Sequence, residues 1–157
     1  MDKIYGNTRL SRLSLKVVLT QTDTTVGFLS QDEQKLQEIK HRDSSKPFIK
    51  VYNNFKTLLK SGQRVPQKFK NTVRRSNKTT FIVKNRAFRV ANSPLDSQIL
   101  RDTLWHYSTS ANEKNKTFDR EFCEKKADII IENKEKLKEL SSSSLYKINH
   151  IKIRKLR

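Results

Sequence analysis

The segment Lys16-Val17-Val18-Leu19-Thr20 is β-branched and continuously apolar at its centre, the pattern of a strand buried on both faces. A strand of that kind needs cover on both sides. The next residues begin to supply it: a polar turn from Thr22 to Gly27, then Ser30-Gln31-Asp32-Glu33, which matches a capping box with Ser30 as the cap. A helix is expected from about Gln31 to Lys40, with Leu36 and Ile39 as its narrow apolar face. Lys40 and Arg42 fall at its C-terminal end, where cations suit the helix dipole whatever else they do. Pro47 closes the basic turn. The polar turn lies at a strand end, where α/β sheets usually bind their ligands.

The remainder continues in short elements. Pro47 to Val51 reads as a strand, and Asn53 or Asn54 caps a helix carrying Phe55, Leu58 and Leu59 that stops at Ser61-Gly62. Val65-Pro66 opens a short helix, Arg74 to Lys78 is a basic loop, and Thr79–Val83 and Ala87–Val90 are strands joined by Lys84-Asn85-Arg86. Asn92-Ser93-Pro94 starts a helix through Leu95, Ile99, Leu100 and Leu104 that ends near His106. A short strand from Tyr107 leads into a small-residue turn at Asn112. Thr117 caps a helix through Phe118 and Phe122, and Ala127–Ile131 is a strand. Glu132–Leu140 reads equally as a helix or an exposed excursion; Ser141–Ser144 is a polar turn; Leu145–Arg157 alternates as a half-exposed strand. Residues 1–15 read as a short helix or a loose arm. Strands and helices interleave without strict alternation, repeat or long linker. The expectation is therefore one α/β domain over residues 1–157, a twisted mixed sheet with flanking helices.

The net charge of +18, from 34 Lys and Arg against 16 Asp and Glu, attracts polyanions, nucleic acid foremost. Abundant Lys and Asn are also what AT-rich coding produces, so the charge supports an RNA partner without identifying one. No apolar run approaches the roughly 20 residues of a membrane span. The N-terminus lacks a signal-peptide core, and the single Cys123 excludes an internal disulfide, so the expected location is cytoplasmic.

Thr22-Asp23-Thr24, Lys40-x-Arg42 with Pro47, Phe88-Arg89-Val90 and Ser108-Thr109-Ser110-Ala111-Asn112 are each weak signals. As an ordered, spaced set they resemble the Sua5/YciO/YrdC family (TsaC-like), the threonylcarbamoyl-AMP synthases of tRNA modification, over about residues 16–154. The chain also departs from the family pattern. Gln21 and Val26 stand for a proline and a tyrosine, Asn77-Lys78 for Gly-Pro, Glu113-Lys114-Asn115 for a Ser-Gly, and Ser142-Ser143-Ser144 for Pro-Ser-Thr; no glycine follows Arg154.

The resemblance implies a YrdC-like fold and a nucleotidyltransferase that joins L-threonine, bicarbonate and ATP into threonylcarbamoyl-AMP, releasing pyrophosphate, for the t6A modification of tRNA. It implies Lys40, Arg42, Ser110 and Asn112 as catalytic residues, and Thr22, Thr24, Ser108 and Thr109 as substrate contacts. Lys40, Arg42, Arg89, Ser143 and Arg154 are implied as nucleotide contacts. ATP would arrive as a substrate with Mg2+, and no protein-bound metal is expected. Implied partners are tRNA or double-stranded RNA and other t6A-modification proteins, with no membrane. Taken residue by residue, bland readings stand beside these: an ordinary turn for Ser110 and Asn112, a solvated strand residue for Arg89, and a strand-end turn satisfying its own amides for Thr22 and Asp23. An inactive RNA-binding protein of the same fold is the alternative, and a small ribosome-associated protein a third reading resting on charge alone. There is no Walker loop or dinucleotide fingerprint, and His41, His106, His150 and Cys123 lack metal-ligand spacing.

Overall fold

The computed structural model describes residues 14–43, 45–91, 99–101 and 103–157. The expected start of a helix at Asn92-Ser93-Pro94 and most of the N-terminal arm lie outside the described residues.

Nine strands form one mixed sheet in the order β7-β1-β2-β6-β3-β5-β4-β8-β9. They are β1 Val18–Gln21, β2 Val26–Ser30, β3 Ile49–Tyr52, β4 Thr79–Val83, β5 Arg86–Val90, β6 Trp105–Ser110, β7 Ile129–Ile131, β8 Ser144–Ile148 and β9 Ile153–Lys155. The helices are α1 Glu33–Lys40, α2 Phe55–Lys60, α3 Lys70–Arg75, which a 3-10 turn at Gln67–Phe69 precedes, and α4 Arg120–Lys126. Residues 99–101 and 103 are also helical.

The mixed α/β sheet with flanking helices is as expected, and several details differ. Gly27 lies in a strand: β1 and β2 form a hairpin with Leu19 opposite Phe28 and Thr20 opposite Gly27. The cap of α1 is Asp32, which accepts from the Lys35 N–H at 3.2 Å; the fully buried Ser30 hydroxyl accepts from the Asp32 N–H. Arg74 and Arg75 belong to α3, and α4 is capped by Asp119 and not Thr117. β6 begins at Trp105 because Leu104 takes φ 68° and ends the preceding turn. Residues 132–140 form an excursion without a regular helix. The C-terminal segment is a hairpin, with Tyr146 opposite Lys155.

Alternation along the strands divides the core. Leu19 and Phe28 pack with Leu36 and Ile39 of α1 and Cys123 of α4, while Val18 and Leu29 pack with Ile99 on the other side. At the far end of the sheet Tyr52, Phe81, Phe88 and Ile148 pack under Phe55, Leu58, Phe69 and Val73 of the second helical layer. Two short helical layers thus cover separate halves of one sheet. Loops crossing its strand ends are left to build the site.

Candidate active site at two adjoining clefts

The β1–β2 turn is built by its own hydroxyls. Thr22 Oγ1 donates to the Thr25 carbonyl at 2.7 Å and accepts from the Thr24 N–H at 3.2 Å. Thr24 Oγ1 accepts from Arg89 Nη1 at 3.1 Å and lies 3.2 Å from Thr22 Oγ1. Arg89, on β5, is only 4% exposed, and its Nε lies 3.5 Å from Asp23 Oδ1, whose carboxylate is equally buried. The strand alternation that leaves Phe88 and Val90 in the core puts Arg89 on the opposite face of the sheet, where the β1–β2 turn meets it. It is a buried cation with a carboxylate and a hydroxyl, not a solvated strand residue.

Lys40 ends α1, and His41 beyond it takes φ 44°, turning the chain back. The Lys40 ammonium donates to the Ser110 carbonyl at 3.0 Å, the Asn112 carbonyl at 2.7 Å and Asn112 Oδ1 at 2.7 Å. Ser110 Oγ donates to the same Oδ1 at 2.7 Å, and Asn112 Nδ2 to the Lys116 carbonyl at 2.5 Å. Burial first, then the neighbouring Arg42 charge, lower the Lys40 pKa to about 8. The Arg42 guanidinium lies 4.9 Å over the Phe48 ring. Stacking uses its flat face and leaves its N–H edge for ligands.

Two clefts result. One, of about 230 Å3, takes in Thr22, Thr24, Arg42, Arg89, Ser143 and Arg157. The other, of about 330 Å3, takes in Lys40, Arg42, Lys46, Ser110 and Asn112. Arg42, Thr109 and Ser110 line both, and Ser108 lines the first. Lys40, Arg42, Ser110 and Asn112, distant in sequence, therefore share one wall. Larger cavities elsewhere lack this convergence of cations and hydroxyls.

Ser143 is buried, with its Oγ 2.8 Å from Thr80 Oγ1. Arg154 sits exposed on β9 opposite Lys147 and lines neither cleft. Arg157 lines the smaller cleft instead, donating to the Ser143 carbonyl at 3.1 and 3.2 Å. The β8–β9 turn carries the chain back toward Ser143, and a single strand through Arg157 concealed this. Gly27 was also more than a turn residue: a Cβ there would lie 3.0 Å from the Thr109 carbonyl and 3.1 Å from Thr22 Cγ2.

Side-chain ties stand where the family pattern is lost. Gln21 Oε1 accepts from the Lys138 N–H and Thr25 Oγ1 from the Leu140 N–H, both at 3.0 Å, clamping the 132–140 excursion to the turn. Lys78 adopts φ 47°, which no proline could take, and its carbonyl accepts from the Ser144 N–H. Among the described residues no cluster of His, Cys, Asp or Glu is arranged to hold a metal, and no helix is long and apolar enough to cross a membrane.

No family model matches the chain. Among curated proteins, an uncharacterized Mycoplasma pneumoniae protein, the MG259 homolog, is 32% identical over 102 residues, which is 63% of this chain and 21% of that protein. Among solved structures, P. abyssi Sua5 complexed with L-threonine superposes with a TM-score of 0.73 at 17% identity, covering 90% of this chain and 50% of that one. E. coli YciO gives 0.69 at 16% identity, covering 96% and 90%. Full-length HypF in a phosphate- and nucleotide-bound form gives 0.70 at 15%, covering 94% and 28%. The chain thus spans about half the length of Sua5 and a fifth of its curated relative. The fold is Sua5/YciO/YrdC-like.

Proposed function

We propose that the chain is an L-threonylcarbamoyladenylate synthase acting in tRNA t6A modification. The observation carrying this reading is the pair of clefts that share Arg42, Thr109 and Ser110, ringed by Lys40, Arg89 and Arg157. The likeness to a Sua5 structure holding L-threonine and to a HypF structure holding phosphate and nucleotide supports it.

The chemistry sets clear demands. The threonine amine adds to bicarbonate with loss of water, giving a carbamate. A carbamate oxygen then bonds the ATP α-phosphorus while the bond to the β-phosphate bridge breaks, and pyrophosphate leaves with that electron pair. Three anions must meet, so fixed cations must offset their repulsion and the charge on the departing group. Arg42, at the seam of the clefts, is placed to grip phosphate through its N–H edge. Lys40 acts one step back: its ammonium fixes the Ser110–Asn112 turn, which brings the Ser110 side chain to the seam of the two clefts. Arg89 holds Thr24 for the threonine side, and Arg157 closes the cleft at Ser143. Magnesium enters with ATP.

Incubation with ATP, bicarbonate and threonine should release pyrophosphate in a threonine-dependent manner. Arg42→Ala should lower the rate by about 100-fold or more with an unchanged melting temperature. Threonine-independent release, or an unaffected Arg42→Ala rate, would remove the reading.

A further inference from the structure

The positive charge is not spread over the molecule. Residues 44–95 contain thirteen Lys and Arg and no Asp or Glu; residues 141–157 contain five more, again with no Asp or Glu. Elsewhere basic and acidic side chains balance, so these two segments hold the whole excess of +18. They are far apart in sequence but adjacent in the sheet, forming β3, β5, β4, β8 and β9 with α2 and α3. The ion pairs Lys35–Asp128, Lys116–Glu113, Arg120–Glu132 and Lys125–Glu121 all lie in the balanced half. Compositional drift toward lysine has no reason to stop at the β6–β3 boundary. A ligand that repels carboxylates does.

We infer that this acid-free half is a docking surface for the phosphodiester backbone of a nucleic acid, anchored in a groove separate from the clefts. The groove, about 710 Å3, lies at the C-terminal ends of β4 and β8, beside Val83 and Ile148, whereas the clefts meet β8 at its start. Arg64, Lys70, Lys84, Lys147 and His150 rim it. Lys68 donates to the Ile151 carbonyl at 3.3 Å and ties the 3-10 turn to the β8–β9 turn. Its cations are mostly exposed and spread over several elements, which suits an extended chain of phosphates better than one small anion. The surface is independent of the synthase reading, since the groove shares no residue with the clefts.

The test is anisotropy titration of labelled duplexes of RNA and DNA, about two helical turns long, across salt concentrations. Lys84→Gln/Lys147→Gln is compared with Lys134→Gln/Lys138→Gln from the balanced half. All four lysines are exposed, so both variants should melt with the parent. The groove pair should weaken binding about tenfold or more and reduce the salt slope by about two, while the control pair stays within about twofold. Equal losses in both pairs would mean a diffuse field without a face. Equal displacement by polyglutamate would assign the surface to an acidic protein. Either overturns the proposal. Threonine-dependent pyrophosphate release should be unchanged in the groove pair, so the two readings fail separately.

Discussion

His106 offers a quantitative check on the packing behind the clefts. It is fully buried on β6 opposite Val51, and burial lowers its pKa to about 4. Nε2 lies 2.8 Å from Thr103 Oγ1, while Nδ1 has no partner among the described residues. An imidazolium there would have one oxygen for two donors. The unfolded chain takes up this proton near pH 6.5 and the folded chain near 4, so the folded state is disfavoured as the pH falls between them. The stability is fully present above about pH 6.5 and lost as the pH falls toward 4. At about pH 4.5 the shift converts to a loss of about 2.5 kcal/mol. His106→Gln removes the titration. Carboxylates titrate in the same range, so the quantity to measure is the difference between parent and variant in urea unfolding at about pH 7 and about pH 4.5. The variant should gain about 2.5 kcal/mol on the parent between the two conditions, whatever its fixed cost. A difference that stays constant with pH, or an NMR titration of His106 at the ordinary histidine pKa, would refute a neutral, buried ring.

Gly27→Ala pushes a methyl into the Thr109 carbonyl and Thr22; about 1–3 kcal/mol should be lost in chemical denaturation, together with affinity for threonine in calorimetry. Asp32→Ala should cost about 1 kcal/mol by the same denaturation measurement through loss of the α1 cap, whereas Ser30→Ala should not remove that cap. Arg89→Met removes a buried cation that sits 3.5 Å from the Asp23 carboxylate and should cost about 3–5 kcal/mol, part of which Asp23→Asn in the same chain should recover in a double-mutant cycle.

The parts legible in the sequence were those written in local chemistry. The cap at Asn54, the β4–β5 hairpin and the Lys40–Arg42 turn follow from spacing and polarity, and the turn residues Lys84 and Asn85 indeed take φ 48° and 62°. β2 was hidden because Gly27 is a turn residue by propensity; only the approach of the Thr109 carbonyl, from a distant strand, explains it as a strand glycine. The early start of β6 was hidden because Leu104 reverses the chain without glycine. The fate of Arg89 depended on a turn 65 residues upstream bringing Asp23 and Thr24 to it. For Gly27 and Arg89 a long-range contact overrides a local preference, which no window of sequence contains.

The departures from the family pattern have a common physical consequence. Proline restricts the backbone even in the unfolded chain, and glycine permits turn geometries that other residues reach only with strain, so loops built on them need few side-chain ties. Here the cleft walls are held by side chains reaching backbone: Gln21 to Lys138, Thr25 to Leu140, Lys40 to Ser110 and Asn112, Arg157 to Ser143. Such ties form only in the folded state, and several are exposed to competing water. The walls should therefore open locally at less cost than the sheet behind them, whose strands pair throughout. Lys40 is where the two properties meet. Its ammonium, half-buried and depressed to about 8, joins three oxygens of the Ser110–Asn112 turn. Burial and the Arg42 charge make the ammonium costly to hold there, so as the pH rises through about 8 the loss of its proton relieves that cost and favours the closed Ser110–Asn112 wall over the open one, while Arg42 keeps its charge.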